Sequence, residues 1–240
     1  MHRAHSSTAG IGTYLPTYYG FLVEEELKNL EELVKPKNNE FIVIMGGAKV
    51  DDKILIIKSM LEKCDKLVLT GGILNTSLKV MGYNVGNSLV SDDEEVINDI
   101  KEVLGKYQNK ITYSNEFTVL NNGKVLKKKV EDIKDEDIIY DNLVNIDFIN
   151  KDSIVFFNGT CGKYEDDNYS EGTKNLLEDL YKSSAKVYAG GGDTVSAITK
   201  FGYENKFKYL SSGGGATLEY VAYGKLKAIE YIKENGVENK

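Results

Sequence analysis

The feature that most constrains this chain is a short apolar run that ends in glycine and recurs along its length. Phe41 to Met45 (FIVIM) is continuously apolar and stops at Gly46-Gly47. A run of this kind fits a strand buried on both faces, where the alternation of polar and apolar residues is lost. Lys66 to Thr70 leads into Gly71-Gly72, Ser153 to Phe157 into Asn158-Gly159, Lys186 to Ala189 into Gly190-Gly191-Gly192, and Lys208 to Ser212 into Gly213-Gly214-Gly215. Ile111 to Tyr113 is a further candidate strand behind a helix expected over Asp92 to Tyr107, in which Val96, Ile100, Val103 and Leu104 share a face. Asp51 to Lys63 places Ile54, Ile57, Met60 and Leu61 at helical spacing. Strands and helices in alternation predict an α/β fold, a Rossmann-like parallel sheet of about six strands with helices on both faces. Ligands of such sheets sit at the carboxyl ends of the strands, the edge the glycines occupy.

Two segments depart from this rhythm. Glu116 to Val130, turning at Asn122-Gly123, reads as a small β-hairpin insertion outside the parallel sheet, and no chemistry is assigned to it. Gly20 to Val34 is an amphipathic helix through Phe21, Leu27, Leu30 and Leu33, closed by Pro36, and is expected to link two domains. Left without its partner, its apolar surface is expected to favour association.

Composition removes several function classes. The net charge of -7 and a single arginine, Arg3, leave no basic footprint for nucleic acid. Lys127, Lys128 and Lys129 follow the hairpin turn and read as a solvated strand rather than a phosphate site. Cys64 and Cys161 form no C-x-x-C pair, which argues against a disulfide framework or a zinc site. No apolar run approaches the about 20 residues that span a bilayer, and Met1-His2-Arg3-Ala4-His5 opens no signal peptide. A cytoplasmic protein without membrane or nucleic-acid partners is expected.

The glycine edge is where chemistry is expected. Glycine lets the backbone approach a ligand, and a helix that follows presents free N–H groups and a positive dipole to an anion. Phosphate is the natural ligand, yet neither G-x-x-x-x-G-K-[ST] nor G-x-G-x-x-G occurs. Lys49 and Lys53, four apart and expected in the first helical turn after Gly46-Gly47, are either two solvated lysines or a grip on one polyphosphate. Asp193 after Gly190-Gly191-Gly192 either caps a helix with Thr194 or holds a Mg ion. Glu165 is either a solvated acid or an acceptor for ribose hydroxyls.

The order and wording of these turns resemble the phosphoglycerate kinase family over nearly the whole chain. HRAHSSTAG at His2 to Gly10, GGAKVDDK at Gly46 to Lys53, NGTCGKYE at Asn158 to Glu165, EGT at Glu171 to Thr173, GGGDT at Gly190 to Thr194 and GGGATLE at Gly213 to Glu219 follow the family's sequence of motifs. The resemblance implies phosphoryl transfer between 1,3-bisphosphoglycerate and ADP, giving 3-phosphoglycerate and ATP, with Mg. Lys49 would steady the transferring group, and Gly192 and Gly215 would open helices beside it. Lys53, Asn158, Gly190, Gly191 and Thr194 would hold the nucleotide phosphates. Asp193 would serve Mg, Glu165 the ribose, and Gly47, Gly71 and Gly72 the adenine slot. Gly213 and Gly214 would face the acyl phosphate, and Arg3 would be the one remaining residue for the substrate phosphate.

On that resemblance residues 1–35 correspond to the end of an amino-terminal lobe and an interdomain helix, and residues 36–240 to a monomeric nucleotide-binding domain. The family's phosphoglycerate residues mostly precede HRAH, so little turnover is expected without that lobe. The sequence departs from the family at Thr160, where proline is usual, at Thr70, where a third glycine is usual, and at Asp141 to Asp147 (DNLVNID), which replaces a GLDIGP stretch. Two other readings stand beside the kinase: a non-catalytic binding or scaffold module that keeps the fold, and a nicotinamide dehydrogenase, disfavoured by the missing glycine fingerprint.

Overall fold

The structure, a computed structural model, describes residues 5–36 and 39–235. Arg3, to which the resemblance gives the substrate phosphate, lies outside the described residues. The chain runs α1 (Phe21–Val34), β1 (Phe41–Met45), α2 (Ile54–Leu61), β2 (Lys66–Leu69), α3 (Gly71–Val80), α4 (Glu94–Tyr107), β3 (Ile111–Tyr113), β4 (Glu116–Asn121), β5 (Lys124–Lys129) and β6 (Ile138–Leu143). It continues with β7 (Ile154–Asn158), α5 (Glu171–Lys182), β8 (Lys186–Gly190), α6 (Gly192–Lys200), β9 (Tyr209–Ser211), α7 (Gly215–Tyr223) and α8 (Lys227–Asn235).

The expected six-stranded parallel sheet is present in the order β3-β2-β1-β7-β8-β9. Helices cover both faces because alternate residues of each buried strand point opposite ways. Phe41, Val43 and Met45 of β1 enter a core with Leu30 and Leu33 of α1, Ile57 of α2, Leu74 of α3, Val96 of α4 and Val221 of α7. Ile42 and Ile44 enter the opposite core with Leu176 and Leu177 of α5 and Ile198 of α6. No side chain of β1 is exposed to solvent.

Strand order reverses between β1 and β7: from β1 the chain builds outward through β2 and β3, then returns to β7 and builds the other way. A crevice opens at the carboxyl edge of such a switch point, because the two flanking connections leave in opposite directions. α1 joins this body rather than standing apart from it. Its Glu32 accepts hydrogen bonds from Lys186 and Tyr188 of β8, while Phe21 and Leu22 at its start are exposed.

The expected hairpin is incomplete. β4 and β5 pair across Asn122-Gly123 as anticipated, but β6 joins the other side of β4 to make a three-stranded antiparallel sheet. Isolated hairpins are marginal, and a third strand that packs against the main body supplies the missing burial. Lys127 pairs with Glu171 at 2.8 Å and Lys128 with the buried Asp137 at 2.6 Å. Two of the three lysines of the run thus have partners within the fold, and Lys129 is exposed.

Candidate functional site

The turns after β1 and β7 meet backbone to backbone at the switch point. Gly46 donates to the Asn158 carbonyl at 2.9 Å and Gly47 to the Thr160 carbonyl at 3.2 Å. Gly159 has φ +121°, and a Cβ built there would lie 2.3 Å from the Gly46 carbonyl carbon. Only glycine satisfies both the backbone angle and the contact. Thr194, which one of the two readings of Asp193 joined to a helix cap, accepts the Gly159 N–H at 2.7 Å and ties the β7 turn to α6.

Lys49 and Lys53 do not lie on a helix. α2 begins at Ile54, and residues 48–53 form a turn in which Val50 is buried and Lys53 donates its N–H to the Val50 carbonyl. The side chain of Lys53 folds back so that Nζ donates to the Gly46 carbonyl at 2.6 Å. Burial holds its ammonium down at about 8, with Lys49 adding to the depression and Asp193 opposing it. Lys49 is exposed. A cationic group at the mouth of the crevice, short of charge partners and partly stripped of water, favours an incoming anion.

Two cavities adjoin along this edge and share Gly47, Ala48 and Asp193. The larger, about 630 Å³, is lined by Lys49, Lys53, Asn158, Gly159, Gly191, Gly192, Thr194, Gly214 and Gly215. It receives the amino-terminal ends of α6 and α7, whose free N–H groups and dipoles attract negative charge. The smaller, about 300 Å³, is a slot walled by Gly71 and Gly72 on one side and by Leu89, Ile139 and Tyr140 on another, with Glu165 at its rim. The crevice therefore runs from a narrow, largely apolar slot to a broad basin that holds helix N–H groups, Lys49 and Lys53 beside Asp52, Asp193 and Glu219.

Of the expected site residues, Gly47, Lys49, Lys53, Gly71, Gly72, Asn158, Glu165, Gly191, Gly192, Asp193, Thr194, Gly214 and Gly215 line one or other cavity. Gly190 is buried at the end of β8, where an added Cβ would meet Thr217, and Gly213 stands at the α7 turn; neither lines a cavity. The Asn158 amide is buried, with Nδ2 donating to the Gly190 carbonyl at 2.6 Å and Oδ1 unpartnered. Asp193 and Glu165 are exposed.

The sequence reading missed the second wall of the slot. Besides Leu89 it comes from β6, which the sequence reading met only as the departure at Asp141 to Asp147. Asp141 and Asn142, adjacent on β6, send their side chains to opposite sides. Asp141 Oδ2 accepts the Gly172 N–H at 2.6 Å, in the first turn of α5, and Asn142 Oδ1 accepts the Gly71 N–H at 3.0 Å, at the start of α3. Asp141 is wholly buried and its Oδ1 has no partner. Burial raises its carboxyl to about 7 despite the hydrogen bonds it accepts.

The fold and crevice together define a doubly wound α/β protein with a candidate ligand crevice at the strand switch. The phosphoglycerate kinase family profile matches residues 1–225. The phosphoglycerate kinase of Francisella philomiragia is 35% identical over 250 residues, covering 97% of this chain and 62% of that protein. That of Thermosipho africanus is 34% identical, covering 99% of this chain and 63% of its own length. The structure of phosphoglycerate kinase from Coxiella burnetii superposes with a TM-score of 0.86 at 29% identity, covering 98% of this chain and 64% of that one. The enzyme from Pyrococcus horikoshii, at 23% identity and a TM-score of 0.83, shares the fold. The chain belongs to the phosphoglycerate kinase family. It spans slightly under two thirds of the length of these relatives.

Proposed function

We propose that the crevice binds ADP or ATP with Mg, and that the chain supplies the nucleotide half of a phosphoglycerate kinase. In this reading the slot between Gly71-Gly72 and Tyr140 takes the base, Glu165 the ribose hydroxyls, and the basin the phosphates. The observation that carries the reading is the junction of a largely apolar slot with a basin that holds Lys49, Lys53 and the amino-terminal ends of α6 and α7, at the shared residues Gly47, Ala48 and Asp193. A nucleoside diphosphate has that same order of apolar plane, polar ring and anion.

Phosphoryl transfer asks for alignment and charge neutralisation rather than for a nucleophilic side chain. Lys53 would hold the nucleotide phosphates together with Asn158, Gly190, Gly191 and Thr194. Lys49, with the α6 and α7 starts at Gly192 and Gly215, would steady the transferring group, and Gly213 and Gly214 would face the acyl phosphate of 1,3-bisphosphoglycerate. Mg fits the donors present: no group of three or more His, Cys, Asp or Glu suited to a metal occurs among the described residues, and Asp193, with Asp52 and Glu219, borders the basin. A Mg ion bound mainly through substrate phosphates and water needs no more than that from the protein. When bound it neutralises phosphate charge.

Residues 36–240 form the nucleotide-binding domain in this proposal, and residues 1–35 the end of a second lobe with its connecting helix. Binding of phosphoglycerate, with Arg3 among its contacts, and turnover require the remainder of the relatives' length. Among the described residues no helix is long and apolar enough to cross a membrane. Calorimetric titration with ADP, with and without Mg, tests the reading. Saturable binding strengthened by Mg and weakened in Lys53→Ala and Asp193→Ala is expected, whereas a folded chain indifferent to ADP overturns it.

A further inference from the structure

We infer that Lys200, at the carboxyl end of α6, is a positioning residue that fixes the Glu165 backbone at the rim of the crevice and so sets how far that carboxylate stands from the anion basin. The inference rests on the nucleotide reading above and adds to it a residue that lines neither cavity. Lys200 Nζ donates to the Tyr164 carbonyl at 2.9 Å, to the Glu165 carbonyl at 3.2 Å and to Asp167 Oδ1 at 3.0 Å. An ammonium has three N–H groups, and here all of them are spent on one loop. The backbone hydrogen bonds of that loop end on the Gly162, Lys163 and Asp166 carbonyls and leave those of Tyr164 and Glu165 to the lysine.

The ion pair with Asp167 alone would fix nothing, since that carboxylate is 91% exposed. The two carbonyls matter because of where they lie: Tyr164 is buried, and Glu165 follows it at the rim of the slot. At the other end of the same helix Gly192 and Asp193 line the basin, and Thr194 takes the Gly159 N–H at 2.7 Å. The loop that follows β7 is therefore stapled to α6 at both ends of the helix. The 9 residues of α6 make a rigid strut, on the order of 12 Å long at the usual rise of a helix. One strut thus sets the spacing between the N–H groups that face the phosphates and the acid assigned to the ribose. A ligand that carries both phosphates and sugar hydroxyls depends on that spacing, and one that lacks the hydroxyls does not.

The test titrates the full chain, Lys200→Met, Lys200→Arg and Asp167→Ala with Mg complexes of ADP and of 2′,3′-dideoxy-ADP, whose sugar lacks both hydroxyls. The unaltered chain is expected to bind ADP at least about tenfold more tightly than the dideoxy analogue, the worth of hydrogen bonds to a charged acceptor. Lys200→Met is expected to cut that ratio to about twofold by weakening ADP alone, and unchanged affinity for dideoxy-ADP shows that it remains folded. Lys200→Arg restores most of the ratio, because a guanidinium can donate to the same carbonyls, and Asp167→Ala leaves it as it is. In a Glu165→Ala background Lys200→Met causes no further loss of ADP affinity, since the two residues act through one contact. A ratio unmoved by Lys200→Met, or equal weakening of both ligands, overturns the inference and makes Lys200 a fastening of the loop with no part in binding. Equal affinity of the unaltered chain for the two ligands overturns it as well. Binding of ADP in any of these cases leaves the nucleotide reading standing; failure of both diphosphates to bind removes both.

Discussion

The carboxylate of Glu26, on the helix that precedes the sheet, accepts a hydrogen bond from Ser211 Oγ at 2.6 Å at the far edge of the sheet. The same carboxylate takes the Ser212 N–H at 2.7 Å and its hydroxyl at 2.8 Å, immediately ahead of Gly213-Gly214-Gly215. α1 thus holds the turn that opens α7 into the basin. Glu26→Ala is expected to lower stability by about 1–3 kcal/mol, since Ser211 is buried and loses a charged acceptor. ADP affinity is expected to fall with it and to recover in part in Glu26→Gln. Denaturant melts paired with the ADP titration check this; full affinity in a destabilised Glu26→Ala separates the turn from binding.

Lys53 gives a stability effect opposite to its effect on binding. Its folded value near 8 lies below the 10.5 of a free lysine, so between those two values the unfolded chain binds more protons and wild-type stability rises with pH. Below pH 8 the charged, half-buried ammonium is a standing penalty. Lys53→Met is expected to stabilise the chain at pH 7 by about 1–2 kcal/mol, a gain that shrinks toward pH 10, while ADP affinity drops at least about tenfold. Thermal melts at the two pH values and one calorimetric titration decide it.

Asp141 behaves as the mirror case. Its carboxyl is raised from 3.8 to about 7, so between these values the folded chain binds more protons and stability falls as pH rises. Asp141→Asn keeps the shape and an acceptor for the Gly172 N–H. It is expected to match the wild type near pH 4 and to exceed it by about 1–2 kcal/mol at pH 8. Parallel melting curves at both pH values would place the ionisation elsewhere.

Two glycines of the crevice separate folding from binding. Gly159→Ala puts a Cβ against the Gly46 backbone at a positive φ and is expected to lose about 3 kcal/mol or more. A Cβ at Gly192 meets nothing within 4 Å and sits in the first turn of α6, so Gly192→Ala is expected to fold normally. The methyl projects from a residue lining the basin, and weakened ADP binding is the expected result. Chemical denaturation and calorimetry of the pair give the contrast.

The parallel sheet was readable because each of its long strands is apolar without interruption and ends in a residue only a turn tolerates. β6 escaped for the opposite reason: its buried positions include Asp141 and Asn142, and IIYDNL carries no apolar period. Their burial depends on helix N–H groups from α3 and α5, partners that local pattern does not contain. Lys49 and Lys53 were misplaced because a spacing of four suggests a helix, whereas buried Val50 anchors a turn between them. Motif order located the basin residues. The slot's second wall, Leu89, Ile139 and Tyr140, lies in segments with no motif, brought there by the loop after α3 and by the packing of the small sheet on α3 and α5.

On the proposed nucleotide reading, that packing separates two tasks along one ligand. The basin belongs to the parallel sheet and is framed by backbone turns, with Gly159 closed to any side chain, whereas the slot's second wall is ordinary side chains on the Leu89 loop and on a small sheet fastened by Asp141 and Asn142. On the same reading, the preference among bases would therefore be open to change on β6 and the Leu89 loop while the turns that face the phosphates stay as they are.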